Sequence, residues 1–119
     1  MCSSDLIVTL NACGAAERYR AASELTGGDP ARGKAAIGKY GCDSCHIIPG
    51  IATARSLVGP PLTAMGARTY LAGELVNTPA NMESWIRHPR AIESRTAMPD
   101  TGVTEIDARD ITAYLYTLR

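Results

Sequence analysis

Cys42-Asp43-Ser44-Cys45-His46 is the stretch that decides the fold. On one helical turn, residues three apart share a face at roughly 5–6 Å, so Cys42 and Cys45 can each bond one of two neighbouring vinyl groups. His46 follows directly, where a neutral imidazole nitrogen can reach a metal. C-x-x-C-H is the attachment signature of a c-type haem, with two thioether anchors and one proximal iron ligand drawn from five residues. A chain built on this pentapeptide is expected to wrap a porphyrin.

The composition agrees. The 119 residues contain twelve acidic and twelve basic side chains, no Phe and one Trp. A domain of about 90 residues buries only part of its unfolded surface and often leans on a metal or another staple. An apolar porphyrin plate would stand in for the missing aromatics. A formal charge of zero with no basic stripe argues against nucleic acid as partner. No apolar run reaches the length needed to cross a bilayer.

The front end reads differently from the rest. Leu6-Ile7-Val8-Thr9-Leu10-Asn11-Ala12-Cys13-Gly14 looks like the tail of a signal peptide's apolar region followed by a bacterial lipobox, whose Cys13 would carry lipid. A basic n-region is missing and the apolar run is short, so residues 1–28 are expected to be a signal-peptide and lipobox remnant followed by a flexible tether. The alternative for Cys2 and Cys13 is a disulfide or two idle thiols. Thr26-Gly27-Gly28 closes the tether, and the folded domain is expected over residues 29–119.

Within that domain three helices are signalled. Asp29 can cap a helix whose first residue is Pro30, with Gly33, Ile37 and Tyr40 on one face. Glycine inside a helix costs about 1 kcal/mol against Ala, so Gly33 points to close approach by another helix, the last one. Thr78 caps a middle helix that starts at Pro79, carries Met82, Trp85 and Ile86 inward and stops before Pro89. The last helix opens at Thr104 with Asp107 completing a capping box. It shows Ile111, Tyr114 or Leu115, and Leu118 at helical spacing and runs out at Arg119, whose charge suits the helix dipole. Gly- and Pro-punctuated loops lie between, without an alternating strand pattern or an internal repeat. The expected class is all-α: three main helices and long loops ordered by one central cofactor.

An iron held by one imidazole has a sixth position to fill, and Met98 is the choice. A thioether is soft and neutral and raises the reduction potential. Met98 sits before Pro99, hence extended, in a loop able to reach the opposite haem face. Met82 reads as core filler on an apolar helix face. Met65, after a proline-rich loop, and His88, beside Arg87 and Pro89, remain competitors.

Four segments in order give a resemblance to class I cytochromes c over about residues 28–119. Gly28-Asp29-Pro30-Ala31-Arg32-Gly33-Lys34 resembles that family's opening helix and Gly59-Pro60-Pro61-Leu62 its proline loop. Thr96-Ala97-Met98-Pro99 is similar to its methionine loop and Ala113-Tyr114-Leu115 to its closing helix. The resemblance implies a cytochrome c-like fold around one haem c, with its iron between His46 and Met98. It implies that Pro60 offers its carbonyl to the free ring N–H of His46, and that Arg68 and Tyr70 meet a haem propionate. Trp85 would flank the methionine side of the pocket. The family's many-lysine docking face is not present, since only Lys34 and Lys39 occur.

The function implied is single-electron transfer rather than enzymatic turnover. The expected partners are a terminal oxidase, a quinol-oxidising complex or a periplasmic dehydrogenase. The expected location is the periplasm or the outer face of a bacterial membrane, with a tether through lipidated Cys13. A second class is an open-site haem protein, a peroxidase or gas sensor, in which Met98 leaves the iron free. A third reads Cys42 and Cys45 as a zinc or thiol-disulfide site. Zinc usually needs four ligands, which are hard to find here, and a thioredoxin-like reading lacks its βαβ pattern.

Overall fold

A computed structural model describes residues 7–119, with side chains from residue 14 onward. Residue 2 and the side chain of Cys13, on which the disulfide and lipidation readings rest, lie outside the described residues. Among the described residues five α-helices follow in order: α1 (Ile7–Thr26), α2 (Pro30–Lys39), α3 (Pro79–Arg87), the single turn α4 (Pro89–Ile92) and α5 (Glu105–Tyr116).

The centre is the crossing of α2 and α5. Asp29 caps α2 by accepting from the Ala31 and Arg32 amides at 2.9 and 3.3 Å, with Pro30 in the first position. Gly33 lies where the two backbones meet: a Cβ there would fall on the backbone carbonyl of Asp110. The helix-weakening glycine therefore marks the close approach to α5 that its position suggested. Asp110, a carboxylate only 4% exposed, clamps the crossing. It accepts from the Asp29 amide at 2.8 Å and from Arg32 Nε at 3.2 Å.

α5 is the axis of the fold, because α1, α2 and α3 all pack against it. Eight of its residues are buried, including Ile111, Thr112, Tyr114 and Leu115, so its apolar character wraps around rather than forming one stripe. Thr104 caps it by accepting from the Asp107 amide at 3.1 Å. The Asp107 carboxylate accepts from the Tyr40 hydroxyl and pairs with Lys39 at 3.5 Å, which ties the end of α2 to the start of α5. The helix stops at Tyr116 rather than Arg119. The Thr117 hydroxyl turns back onto the Tyr114 carbonyl and takes an acceptor at the helix end.

Three further features differ from the sequence reading. Residues 14–26 are helical, not a flexible tether. Ala22 is buried, and Tyr19 meets Tyr114 of α5 edge to face at 6.3 Å between ring centres, a contact aromatic pairs favour. The helix ends where Gly27 takes a positive φ and its amide reaches back to the Ser23 carbonyl at 2.8 Å. A small antiparallel hairpin, β1 (Tyr70–Leu71) with β2 (Leu75–Val76), is also present. Its two-residue strands are too short to show alternation. Finally, Pro89 ends α3 as expected and at once opens α4.

Candidate cofactor site

The C-x-x-C-H segment is a single tight turn. Gly41, at positive φ, introduces a 3₁₀ turn over Cys42–Ser44, and the amides of Cys45 and His46 both reach the Cys42 carbonyl, at 3.3 and 3.1 Å. Two backbone bonds then fasten this turn to the proline loop: Gly59 N to Cys45 O at 2.7 Å and Leu62 N to Ile47 O at 2.8 Å. The loop is thereby laid against the histidine.

His46 Nδ1 stands 2.7 Å from the Pro60 carbonyl oxygen. A carbonyl only accepts, so Nδ1 carries the proton and Nε2 keeps a bare lone pair, the form a metal-binding imidazole needs. Gly59 packs on the ring itself. A Cβ at this position would strike the imidazole, with Nδ1 and Nε2 only 2.7 and 2.9 Å away, so only glycine lets the proline loop lie this close.

A cavity of about 320 Å³ opens in front of these groups, a size at the lower end for cofactor clefts. Cys42, Cys45 and His46 stand on one wall together with Pro60. α2 contributes Ile37, α3 contributes Trp85 and Ile86, and α5 contributes Ile111 and Leu115. The 96–103 segment closes the rim with Thr96, Met98 and Pro99. No Asp, Glu, Lys or Arg lines it among the described residues. Burial pushes the Cys42 thiol up, and Asp43 and Cys45 add to the effect against an opposing backbone hydrogen bond. The thiol form is therefore favoured over the thiolate.

The candidates for a second ligand separate by place. Met98 lines the cavity that His46 enters, its amide held by the Thr96 hydroxyl at 3.2 Å. Met65 and Met82 are buried elsewhere in the core, and His88 is an exposed residue at the end of α3. None of these three lines the cavity.

Arg68 and Tyr70 are not among the lining residues either. Tyr70 lies on β1 and is 56% exposed. Arg68 folds its guanidinium over the proline loop, donating to Pro61 O at 2.8 Å and to Thr63 O at 2.7 and 3.1 Å. Sequence reasoning passed over two residues. Asp110 carries a charge that in a helix pattern looks solvated. Asn77, directly before the cap Thr78, joins the 65–69 turn to α5 through its side chain.

An apolar slot with two thiols and an imidazole freed at Nε2 defines a site for a flat, metal-centred, covalently held cofactor. The chain belongs to the cytochrome c family, whose description matches residues 30–119. It is also similar to "Cytochrome c oxidase subunit 2" of Alkalihalophilus pseudofirmus (strain ATCC BAA-2126 / JCM 17055 / OF4), at 34% identity over 89 residues. That match covers 74% of this chain and 25% of the relative, so the chain spans about a quarter of that protein's length. No solved structure matches. Haem c with its iron is the family's covalent cofactor. The residues at the cavity fit it: apolar walls for the porphyrin, Cys42 and Cys45 for its thioethers, and an imidazole of the right tautomer. Family membership makes haem-based electron transfer the general activity.

Proposed function

We propose that this chain is a one-electron carrier whose iron is held between His46 and Met98. The observation that supports this most is the sorting of candidate ligands, since Met98 shares the cavity with His46 while Met65, Met82 and His88 do not line it. His46 and Met98 would together leave no open position on the iron for substrate, and the haem would supply a ferrous–ferric couple, which suits an electron carrier rather than an enzyme. The protein's part is to orient and to exclude. Pro60 fixes the imidazole, Gly59 holds the loop against it, and the uncharged lining keeps water from the ligands. The soft Met98 thioether favours the ferrous state.

Electrons would cross at the exposed rim, where Val58 lines the cavity and is 74% exposed. The relative is named as an oxidase subunit, which supports a terminal oxidase as the partner taking the electron, with a quinol-oxidising complex or a dehydrogenase as its source. A periplasmic or outer-membrane-face location, with a lipid on Cys13, belongs to the same reading, because thioether formation in similar bacterial proteins takes place outside the cytoplasmic membrane.

The deciding experiment is to co-express the chain with a haem-attachment system and record visible spectra of wild type and Met98→Ala in both oxidation states. The variant is expected to lose the weak red sulfur-to-ferric-iron band, to show a lower potential and to bind carbon monoxide readily when reduced. An unchanged variant spectrum would move the second ligand elsewhere. Ready carbon monoxide binding by the wild type at neutral pH would make this an open-site haem protein, as in a peroxidase or gas sensor.

A further inference from the structure

We propose that Asn77 and Arg68 are positioning residues for His46, acting as a two-part brace that holds the Pro60 carbonyl on its ring N–H. The inference rests on His46 being the proximal iron ligand, as read above.

The bonding is continuous. The Asn77 side-chain amide donates to Met65 O at 2.9 Å and to Arg68 O at 2.8 Å, while its oxygen accepts from the Tyr116 hydroxyl at 2.7 Å. Its backbone amide also donates to Thr69 O, at 2.9 Å. One side chain thus fastens the 65–69 turn to the end of α5. Gly66 N donates to Leu118 O at 2.7 Å and fastens the same turn from its other side.

The guanidinium of Arg68, launched from this turn, grips Pro61 O and Thr63 O. Pro61 is the residue after Pro60, and the peptide linking them carries the carbonyl that accepts from His46. Proline's fixed φ at both positions leaves that carbonyl little freedom once Pro61 O and Thr63 O are held. A bond from Nδ1–H to a held acceptor sets the ring's tautomer, its orientation and its strength as a donor to a metal.

Arg68 therefore has a task that depends on the fork geometry of guanidinium rather than on charge alone. Nη2 reaches both carbonyls while Nε, in the same plane, adds a second bond to Thr63 O; lysine carries the same charge but lacks that second coplanar donor, which sets the angle of the grip. Asn77 is needed because it places the base of that fork. The Tyr116 bond is one of two ties between this turn and the end of the chain; the other, Gly66 N on Leu118 O, remains when it is lost, as do both Asn77-to-turn bonds.

The test is hydrogen exchange at the Nδ1–H of His46, followed by NMR as a hyperfine-shifted resonance of the haem-loaded ferric protein, together with the reduction potential. Arg68→Lys and Asn77→Ala are each expected to speed this exchange about tenfold (about 1.4 kcal/mol) and to shift the potential. Tyr116→Phe is expected to stay within about twofold of wild type on both readouts. If Asn77→Ala fails to fold, Arg68→Lys decides alone. Wild-type exchange and potential in a folded Arg68→Lys protein would overturn the brace. A wild-type spectrum lacking any such His46 resonance would instead overturn the ligand reading on which the brace stands.

Discussion

Replacing Gly33 by Ala sets two effects of opposite sign against each other in one helix. Alanine gains about 1 kcal/mol of helix propensity over glycine, so a sequence-only view expects a more stable protein. The structure reverses this, because the new Cβ would fall on the backbone carbonyl of Asp110 in α5. Overpacking a tight contact costs about 1–3 kcal/mol, and a backbone atom cannot rotate away as a side chain can, which places this case near the top. Moving α2 outward also lengthens the bonds from the Asp29 amide and Arg32 to Asp110, now 2.8 and 3.2 Å. The net expectation is a loss of about 2 kcal/mol, or a fall in Tm of about 10 °C for a domain of this size. Thermal unfolding of the haem-loaded protein, followed by far-ultraviolet circular dichroism, measures it. A Tm equal to or above that of wild type would refute the steric argument.

Two other perturbations address the site and the acid limit. Gly59→Ala should push the His46 ring off the Pro60 carbonyl, costing about 0.5–1.5 kcal/mol for the lost bond and raising the high-spin fraction in the ferric spectrum; a spectrum identical to wild type would count against it. The Tyr40 hydroxyl beside Asp107 holds that carboxyl below its ordinary value of 3.8, helped by Lys39 and opposed by partial burial. A lowered folded-state pKa means stability that is present above the ordinary value and is lost as pH falls through the folded one. Tyr40→Phe should therefore move the acid-unfolding midpoint to higher pH, and a titration that leaves the midpoint in place would contradict this.

What could be read in advance was what depends on neighbours in the chain. Asp29-Pro30, Thr78-Pro79 and Thr104 each form helix starts as written, because a cap and its amides lie within three residues. Cys42, Cys45 and His46 stand together for the same reason. What could not be read depends on partners far along the chain. Asp110 looks like a solvated charge until Asp29 and Arg32 fold onto it. Arg68 finds backbone carbonyls of the proline loop that no spacing rule foretells. α1 was legible in part: Ala15, Ala16, Glu17, Ala21 and Ala22 are strong helix formers. Gly14, Gly27 and Gly28 and the lipobox-like start point instead to a tether.

The seating of α1 has a mechanical consequence. From Gly14 to Thr26 the rise of an α-helix makes a rod of about 20 Å, packed on α5 with Tyr19 against Tyr114 and with Ala22 buried. A rigid rod sets a fixed reach, so an attachment made ahead of it would stand at a set distance from the haem-bearing body, where a coil would give a spread of distances. A fixed reach raises the effective concentration for a partner whose docking face lies at that span and lowers it for one that does not.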